Sequence, residues 1–319
     1  MNHSRAMGKT RSVSYGFLLL IGLIWGAHFS FNQIAVSSIP PLSVAAGRAL
    51  VGAISLTLIL RLEASSRPFQ SVHGTDRGQW RIWQKMFAIA FFEATLPFFL
   101  LAWGQQHINS SSQAAILMGM TPLLTTILAA LLIPTTTLST WNFASIVLGF
   151  VGVVILVGSV NILAAIGNVA GNLAILIAAL SFSFALVLIK KLASPSPIRA
   201  ARDLFLCASV QLLPIALVHD RVWSLYPSQN SLLSVLFLGA VCGGVAYVLY
   251  FTLIGWNSPT FASFSNYLIP LFGTLLSSIF LHEAITIPKL LALLLIVAAT
   301  AMNGLTSGDR SLNVPYSRR

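Results

Sequence analysis

The chain is a succession of apolar segments, each about as long as a helix that crosses a lipid bilayer. A hydrocarbon core of about 30 Å needs a helix of roughly 20 apolar residues. No segment shows the strict alternation of apolar and polar residues that marks a barrel strand. Because a chain in lipid must satisfy its own backbone hydrogen bonds, we expect these segments to be α-helices. The ten segments are Tyr15–Val36, Leu42–Leu60, Met86–Gln105, Gln113–Leu132, Trp141–Ser159, Val169–Ile189, Asp203–Val218, Leu232–Ile254, Phe261–Leu281 and Leu290–Leu305.

The composition excludes a soluble protein. Hydrophobic residues make up 56% of the 319 residues and charged residues only 8%, whereas a soluble domain carries about 25% charged residues. So few charges cannot cover a compact body in water. The sequence therefore predicts an all-α membrane protein with ten transmembrane helices, embedded in a lipid bilayer.

The basic residues are sorted to one side of the predicted helices. The net charge of +11 could by itself indicate a nucleic-acid partner. If the N-terminus lies in the cytoplasm, however, 15 of the 18 Lys and Arg residues fall on the cytoplasmic side, and only Arg221 and Lys289 fall on the other. This asymmetry sets the topology of membrane proteins. We therefore expect a multi-pass protein of the bacterial inner membrane with cytoplasmic tails at residues 1–14 and 306–319, and no nucleic-acid partner.

The two halves of the chain resemble each other. Ala114 to Leu132 aligns without gaps to Ala262 to Phe280, and the sequence LIWGAHFSFNQI, which begins at Leu23, matches ALSFSFALVLIK, which begins at Ala179. The sequence thus predicts two five-helix repeats, at residues 15–160 and 166–305. Because five is an odd number, the second repeat must enter the membrane from the opposite side. Inverted repeats of this kind are a known basis of alternating access, with the substrate site near the midplane.

Three segments resemble the EamA-like family of the drug/metabolite transporter superfamily. The first is WGAHFSFNQIAVSSIPPLSVAAGRAL, from Trp25 to Leu50, and the others are Asn142 to Gly158 and Leu281 to Asn303. The resemblance covers nearly the whole chain and implies a ten-helix bundle that moves small organic metabolites, often outward. The chain departs from the family pattern at two places: Gln33 stands where many relatives carry Lys, and Pro134 and Thr135 stand where an acidic residue is expected before the fifth helix.

Arg48 and Glu93 are the two charged residues that lie deep within predicted spans. A charge in a span is costly unless it is paired or faces water. Arg48 could hold a substrate carboxylate, pair with Glu93, or extend its side chain to the interface. Glu93 could bind a proton and so couple transport to a proton gradient, because a carboxyl group in a low-dielectric site can be protonated near neutral pH. A purely structural ion pair is the alternative for both residues.

Polar and aromatic residues share single faces of the first and ninth predicted helices, and Tyr247 and Tyr250 share one face of the eighth. Helical spacing aligns Trp25, His28, Phe29 and Asn32 on the first helix and Ser263, Asn266, Tyr267 and Pro270 on the ninth. This mixture favours a cavity for a small, partly apolar metabolite, although hydrogen bonds between helices are the alternative. His28 is a second candidate for proton coupling. The predicted substrate cavity comprises Trp25, His28, Asn32, Gln33, Arg48, Glu93, Tyr247, Tyr250, Ser263, Asn266 and Tyr267.

The sequence contains no motif typical of an enzyme. It has no His/Cys/Asp metal cluster, no phosphate-binding loop followed by Lys and no GxSxG nucleophile motif. We therefore expect no catalytic residue, no metal and no cofactor, and we interpret Glu283 as an interfacial helix cap. The leading hypothesis is a secondary transporter that exports amino acids or related metabolites. The alternative is a non-transporting membrane scaffold or a subunit of a membrane enzyme.

Overall fold

The computed structural model describes residues 2–64, 76–108, 110–132, 138–158, 165–189, 197–256 and 265–311. Within these ranges the chain is helical and contains no strand. The α-helices are α1 (Asn2–Ala35), α2 (Pro41–Ala64), α3 (Asp76–Ala90), α4 (Leu96–Ile108), α5 (Ser111–Met118), α6 (Thr121–Leu132), α7 (Thr140–Gly158), α8 (Ala165–Ile189), α9 (Pro197–His219), α10 (Gln229–Leu236), α11 (Ala246–Trp256), α12 (Ser265–Phe280) and α13 (Ile287–Ser311).

Two π-helical segments interrupt the third and eighth predicted spans. The segment π1 (Phe91–Thr95) joins α3 to α4, and π2 (Phe237–Val245) joins α10 to α11. In each segment the hydrogen bonding lengthens from four residues to five. The backbone N–H of Leu96 donates to Phe91 O, and that of Ala246 donates to Val241 O. Such segments are rare and are frequently found at functional sites.

Seven helical stretches of the described chain are long and apolar enough to cross a bilayer. They include Val13–Ala35 at the N-terminus and Gln229–Ile254, which runs through π2. Three shorter apolar helices, Thr140–Leu156, Ser265–Phe280 and Ile287–Met302, coincide with the other three predicted spans. The all-α membrane class is therefore confirmed, whereas the arrangement as ten spans in two inverted repeats stays a prediction.

Apolar side chains point outward as well as inward, as they must in a lipid environment. Phe150 is 62% exposed and Val210 is 64% exposed, while the interior contains Phe205, which is completely buried. A helix that is apolar on all sides is typical of a membrane span. Helix α9 is also longer than the predicted seventh segment, because its first turns carry charged residues that the hydropathy pattern assigns to a loop.

The most extensive helix packing joins the two halves of the chain. Helix α1 packs on α12, α2 on α9 and π2, α4 and α6 on α8, and α7 on α13. Small residues allow these close approaches: a Cβ atom added at Gly26 of α1 would lie 2.7 Å from Phe272 Cβ of α12. Gly22, one turn earlier, packs in the same way, since a Cβ added there would lie 2.6 Å from Leu268 Cβ.

Hydrogen bonds between helix ends identify one side of the bundle. At the end of α1, Ser38 donates to Ser231 Oγ near the start of α10 over 2.8 Å. Just after α9, the carboxylate of Asp220 accepts from the backbone N–H of Ser43 at the start of α2 over 2.9 Å. We call this the far side, and the side on which α1 begins the N-terminal side.

Candidate functional site

A cavity of about 530 Å³ lies between the helices of both halves. Its volume is within the range of sites that hold small organic molecules. Its wall is mainly apolar and aromatic, with few polar groups. Seven of the predicted site residues line it: Trp25, His28, Arg48, Glu93, Tyr247, Tyr250 and Asn266.

Arg48 is held in the cavity wall by two contacts. Its side chain is buried, and its Nη1 lies 2.6 Å from Nε2 of His28. The guanidinium carbon lies 3.8 Å from the ring centroid of Phe98, in the geometry of a cation–π contact. Its Nε has no hydrogen-bond partner. Arg48 therefore presents an unused donor in a site where a buried positive charge requires a partner.

Glu93 lies in π1 and carries the opposite charge into the same cavity. Its side chain is buried, and Tyr247 Oη donates to its Oε1 over 3.5 Å. The other carboxylate oxygen, Oε2, has no hydrogen-bond partner. The hydroxyl of Ser181 on α8 donates to the carbonyl of Phe92 over 2.7 Å, and this bond fixes π1 at the residue next to Glu93.

The two buried charges do not pair with each other. Within the described ranges the ion pairs are Arg202–Asp203 and Lys289–Glu283. The sequence left open a direct Arg48–Glu93 pair, and the structure does not form it. Each residue keeps one polar atom unpartnered instead, which leaves two opposite charges available to a bound molecule.

Three aromatic residues form one wall of the cavity. The ring of Trp25 lies 5.9 Å from that of Tyr247 and 5.2 Å from that of Tyr250, measured between centroids. The indole Nε1 of Trp25 donates to the carbonyl of Cys242 in π2 over 3.2 Å. Because this bond fixes the indole, the wall presents a preformed apolar surface beside the two charges.

Three predicted site residues lie elsewhere, and one is outside the described residues. Asn32 and Gln33 do not line the cavity; Asn32 Nδ2 donates to Gln105 Oε1 over 2.7 Å, and Gln105 Nε2 lies 3.4 Å from Gln33 Oε1. Asn32 therefore has the role that the sequence offered as the alternative to lining a cavity, which is a hydrogen bond between helices. Tyr267 is half-buried and also absent from the cavity wall. Ser263 lies outside the described residues.

Sequence reasoning missed two residues that shape the site. Phe98 lies under the guanidinium of Arg48, and Gln105, which is completely buried, connects α4 to α1. Gln105 could have been found from the sequence, because it is an amide side chain within an apolar span. No sequence signal singles out Phe98 among the 20 phenylalanines of the chain.

The cavity extends toward the N-terminal side of the bundle. Its wall includes Ile189, the last residue of α8, and Pro197, the first residue of α9. Helix α9 ends beside Asp220 on the far side, so Pro197 lies on the N-terminal side. The lining of the same cavity on α1 stops at Phe29, about two turns before the far-side end of that helix.

The far side carries a polar cluster around Glu283. Its carboxylate accepts from the backbone N–H groups of Ser111 and Ser112 over 2.6 and 3.2 Å, and from Lys289 Nζ over 3.2 Å. Burial acts to raise the pKa of Glu283, but hydrogen bonds from Ser112 and Ser111 and the charge of Lys289 outweigh burial and lower this pKa below its ordinary value. Glu283 therefore caps α5 from the loop before α13, and its position at the membrane interface stays a prediction.

This fold defines a class of protein: a multi-pass helical membrane protein with an internal cavity of a size that suits a small molecule. The model of the EamA-like transporter family matches residues 13–158 and 169–305, and the chain belongs to that family. The resemblance inferred from the segment beginning at Trp25 is therefore confirmed. The chain is a membrane transporter, and its family and relatives are transporters and not enzymes.

Curated relatives cover nearly the whole chain. It is 24% identical to the uncharacterized transporter YoaV of Bacillus subtilis, over 92% of this chain and 98% of that protein. It is 26% identical to the uncharacterized inner membrane transporter YedA of Escherichia coli, over 90% of this chain and 89% of that protein. One solved crystal structure has a TM-score of 0.64, covering 93% of this chain and 98% of that one at 18% identity, and so shares the fold.

Proposed function

We propose that the chain exports small zwitterionic metabolites, such as amino acids, across the bacterial inner membrane by alternating access. The observation that carries this proposal is the presence of Arg48 and Glu93 in one cavity, both buried and not paired with each other. A buried charge is stable only with a partner. A substrate that carries both a carboxylate and an ammonium group supplies both partners at once.

Each end of such a substrate has a matching group in the cavity. The planar guanidinium of Arg48 suits a carboxylate, with Nε free to donate. The unpartnered Oε2 of Glu93 suits an ammonium group. The aromatic rings of Trp25 and Tyr250 would cover the side chain of the substrate, which favours amino acids with apolar or aromatic side chains.

Three observations support ten spans in two inverted five-helix repeats. The family model matches the chain twice, at residues 13–158 and 169–305. The main helix contacts join one half to the other. In addition, Trp25 and Ser181 occupy aligned positions of the halves, and each donates to a carbonyl in the π-helical segment of the opposite half.

The direction of the cavity supports export. It extends toward the N-terminal side, and the distribution of basic residues assigns this side to the cytoplasm. A cavity that reaches the cytoplasmic side can take up substrate from within the cell, which is the first step of export. The predicted orientation, with both termini in the cytoplasm, is tested with a reporter that is active only in the periplasm. Fused near Arg81, this reporter should be inactive.

Glu93 also provides a route for coupling to protons. Its carboxylate can bind the substrate ammonium group or a proton, but not both at the same oxygen. Two species that exclude each other at one site are exchanged across the membrane when the site alternates between sides. His28, which contacts Arg48, is the second group in the cavity that could take up a proton.

The deciding experiment is flux in proteoliposomes with three matched compounds. These are an apolar amino acid, the carboxylic acid that lacks its amino group, and the amine that lacks its carboxylate. We expect the amino acid alone to be transported, and E93Q to abolish this transport while D203N, which removes an acid outside the cavity wall, leaves it intact. If folded protein moves none of a broad set of amino acids and E93Q changes nothing in cells, the non-transporting alternative holds.

A further inference from the structure

Three helices that line the cavity come together beyond its closed end. Ser277 of α12 donates to Ser111 Oγ of α5 over 2.8 Å, and Ser111 Oγ lies 3.4 Å from Ser30 Oγ of α1. All three serines are completely buried. The same helices contribute Phe29, Met118 and Pro270 to the cavity wall. The serines therefore close the gap between these helices on the far side of the cavity.

The Glu283 cluster lies directly above this serine contact. Ser111 belongs to both, since its hydroxyl meets Ser277 and its backbone N–H donates to Glu283. Lys289 at the start of α13 donates to Ser112 Oγ over 2.9 Å and to Glu283 over 3.2 Å. The loop before α13 and the first turns of α13 are thus tied to the first turn of α5.

The serine bonds join helices that line the cavity, and Glu283 and Lys289 tie the start of α13 to one of these helices, α5. An apolar contact at the same place would resist separation because opening would expose it to water. Hydroxyl, carboxylate and ammonium groups instead exchange their mutual hydrogen bonds for bonds to water at little net cost. A closure made of such groups is specific when shut and can still open.

We propose that Ser30, Ser111, Ser277, Glu283 and Lys289 form a latch that holds the far end of the cavity shut and must open for substrate release. This proposal rests on alternating access in the proposed function. Opening separates α5 from α12 and the start of α13, and the latch bonds are those that break. The latch sets how often the cavity opens to the far side, and it does not contact the substrate.

The test uses a cysteine at Met118, which lines the cavity below the latch and takes no part in it. M118C is placed in a chain with C207A and C242A, because Cys207 and Cys242 are the cysteines of the sequence. A membrane-impermeant thiol reagent is then applied to membrane vesicles of each orientation. In the parent, labelling from the N-terminal side should be rapid and labelling from the far side slow.

Latch variants should shift this balance. E283Q, K289M and S277A should each raise the far-side labelling rate by about fivefold, the effect expected from the loss of one typical hydrogen bond. Labelling from the N-terminal side should stay equal or fall, because the cavity then spends more time open to the far side. S277A removes only a hydroxyl and so keeps the test valid if a charge variant fails to fold.

D220N is the matched control. Like Glu283, Asp220 is a far-side acid of the second half that caps a helix of the first half. It binds Ser43 at the start of α2, however, away from the serine contact. D220N should leave far-side labelling unchanged. The proposal is overturned if the latch variants leave far-side labelling at the parental rate, or if labelling rises equally from both sides or equally in D220N. Because labelling needs no substrate, increased labelling without amino-acid flux upholds the latch and overturns the substrate assignment alone.

Discussion

Trp25 and Ser181 perform the same structural task in opposite halves of the chain. Trp25 Nε1 donates to Cys242 O of π2 over 3.2 Å, and Ser181 Oγ donates to Phe92 O of π1 over 2.7 Å. A π-helical segment breaks the regular four-residue ladder, so its carbonyls are available to side chains of neighbouring helices. The bond to Phe92 fixes π1, which carries Glu93, and the bond to Cys242 fixes π2, which comes just before Tyr247. The internal repeat is thus connected to the geometry of the site.

Removing either bond should destabilise the protein by a similar amount. W25F keeps an aromatic ring and S181A keeps the small volume, so each variant mainly removes one hydrogen bond. We expect a loss of about 1 kcal/mol in the free energy of unfolding for each, measured by thermal unfolding in detergent. W141F is the control, since Trp141 is 64% exposed, and an equal loss in W141F would contradict the assignment.

The contact between Arg48 and His28 determines which ring nitrogen of the neutral histidine carries the hydrogen. A guanidinium group only donates, so Nε2 of His28 accepts the 2.6 Å hydrogen bond and carries no proton. Glutamine can present an amide oxygen in place of this nitrogen, whereas alanine cannot. H28A should therefore raise the half-saturating concentration of a transported amino acid roughly tenfold or more, as expected for a hydrogen bond to a charged group.

H28Q separates orientation of Arg48 from proton coupling. It should keep substrate affinity near that of the parent in the proteoliposome assay, because an acceptor remains opposite Arg48. If His28 also carries protons, H28Q should lose acceleration by a pH gradient while equilibrium exchange persists. Equal affinity in H28A and the parent would show that Arg48 needs no support from His28.

Close packing of α1 on α12 makes Gly26 intolerant of any side chain. A Cβ at this position would lie 2.7 Å from Phe272 Cβ and 2.9 Å from the backbone nitrogen of Gly273. G26A should destabilise the protein by about 1–3 kcal/mol, the usual range for overpacking. G16A in the same helix meets no atom within 4 Å and should be neutral or slightly stabilising. Thermal unfolding of the two variants in detergent tests this, and equal effects would refute the packing argument.

The sequence predicted the helical class and the position of the charged residues for a clear physical reason. Long apolar segments can satisfy their backbone in lipid only as helices, and charges are rare enough in spans that Arg48 and Glu93 stand out. Both line the cavity. Helical spacing also placed Trp25 and His28 on one wall, because the 3.6-residue period determines which residues share a face.

Depth and local irregularity could not be predicted in the same way. Asn32 shares the face of Trp25, but it lies seven residues further along the helix, about 10 Å beyond it, where the cavity has ended and Gln105 binds its amide. Periodicity gives the face and not the depth at which a cavity closes. Nor does π1 have a sequence signature, since its five residues, FFEAT, would also fit an ordinary helix.

The latch should resist mild acid at the far side. The pKa of Glu283 is lowered, so its carboxylate contributes stability at every pH above the ordinary glutamate pKa of about 4.3, and this contribution is lost only as the pH falls through the lower folded value. The far-side labelling rate of M118C is divided by its N-terminal-side rate at the same pH, because the reactivity of the thiol itself falls with pH. This ratio should be constant from about pH 8 to pH 5 and rise only below this range. In E283Q this ratio should be high and independent of pH across the whole range. A parental increase centred between about pH 5 and 7 would mean that another group, not Glu283, controls the latch.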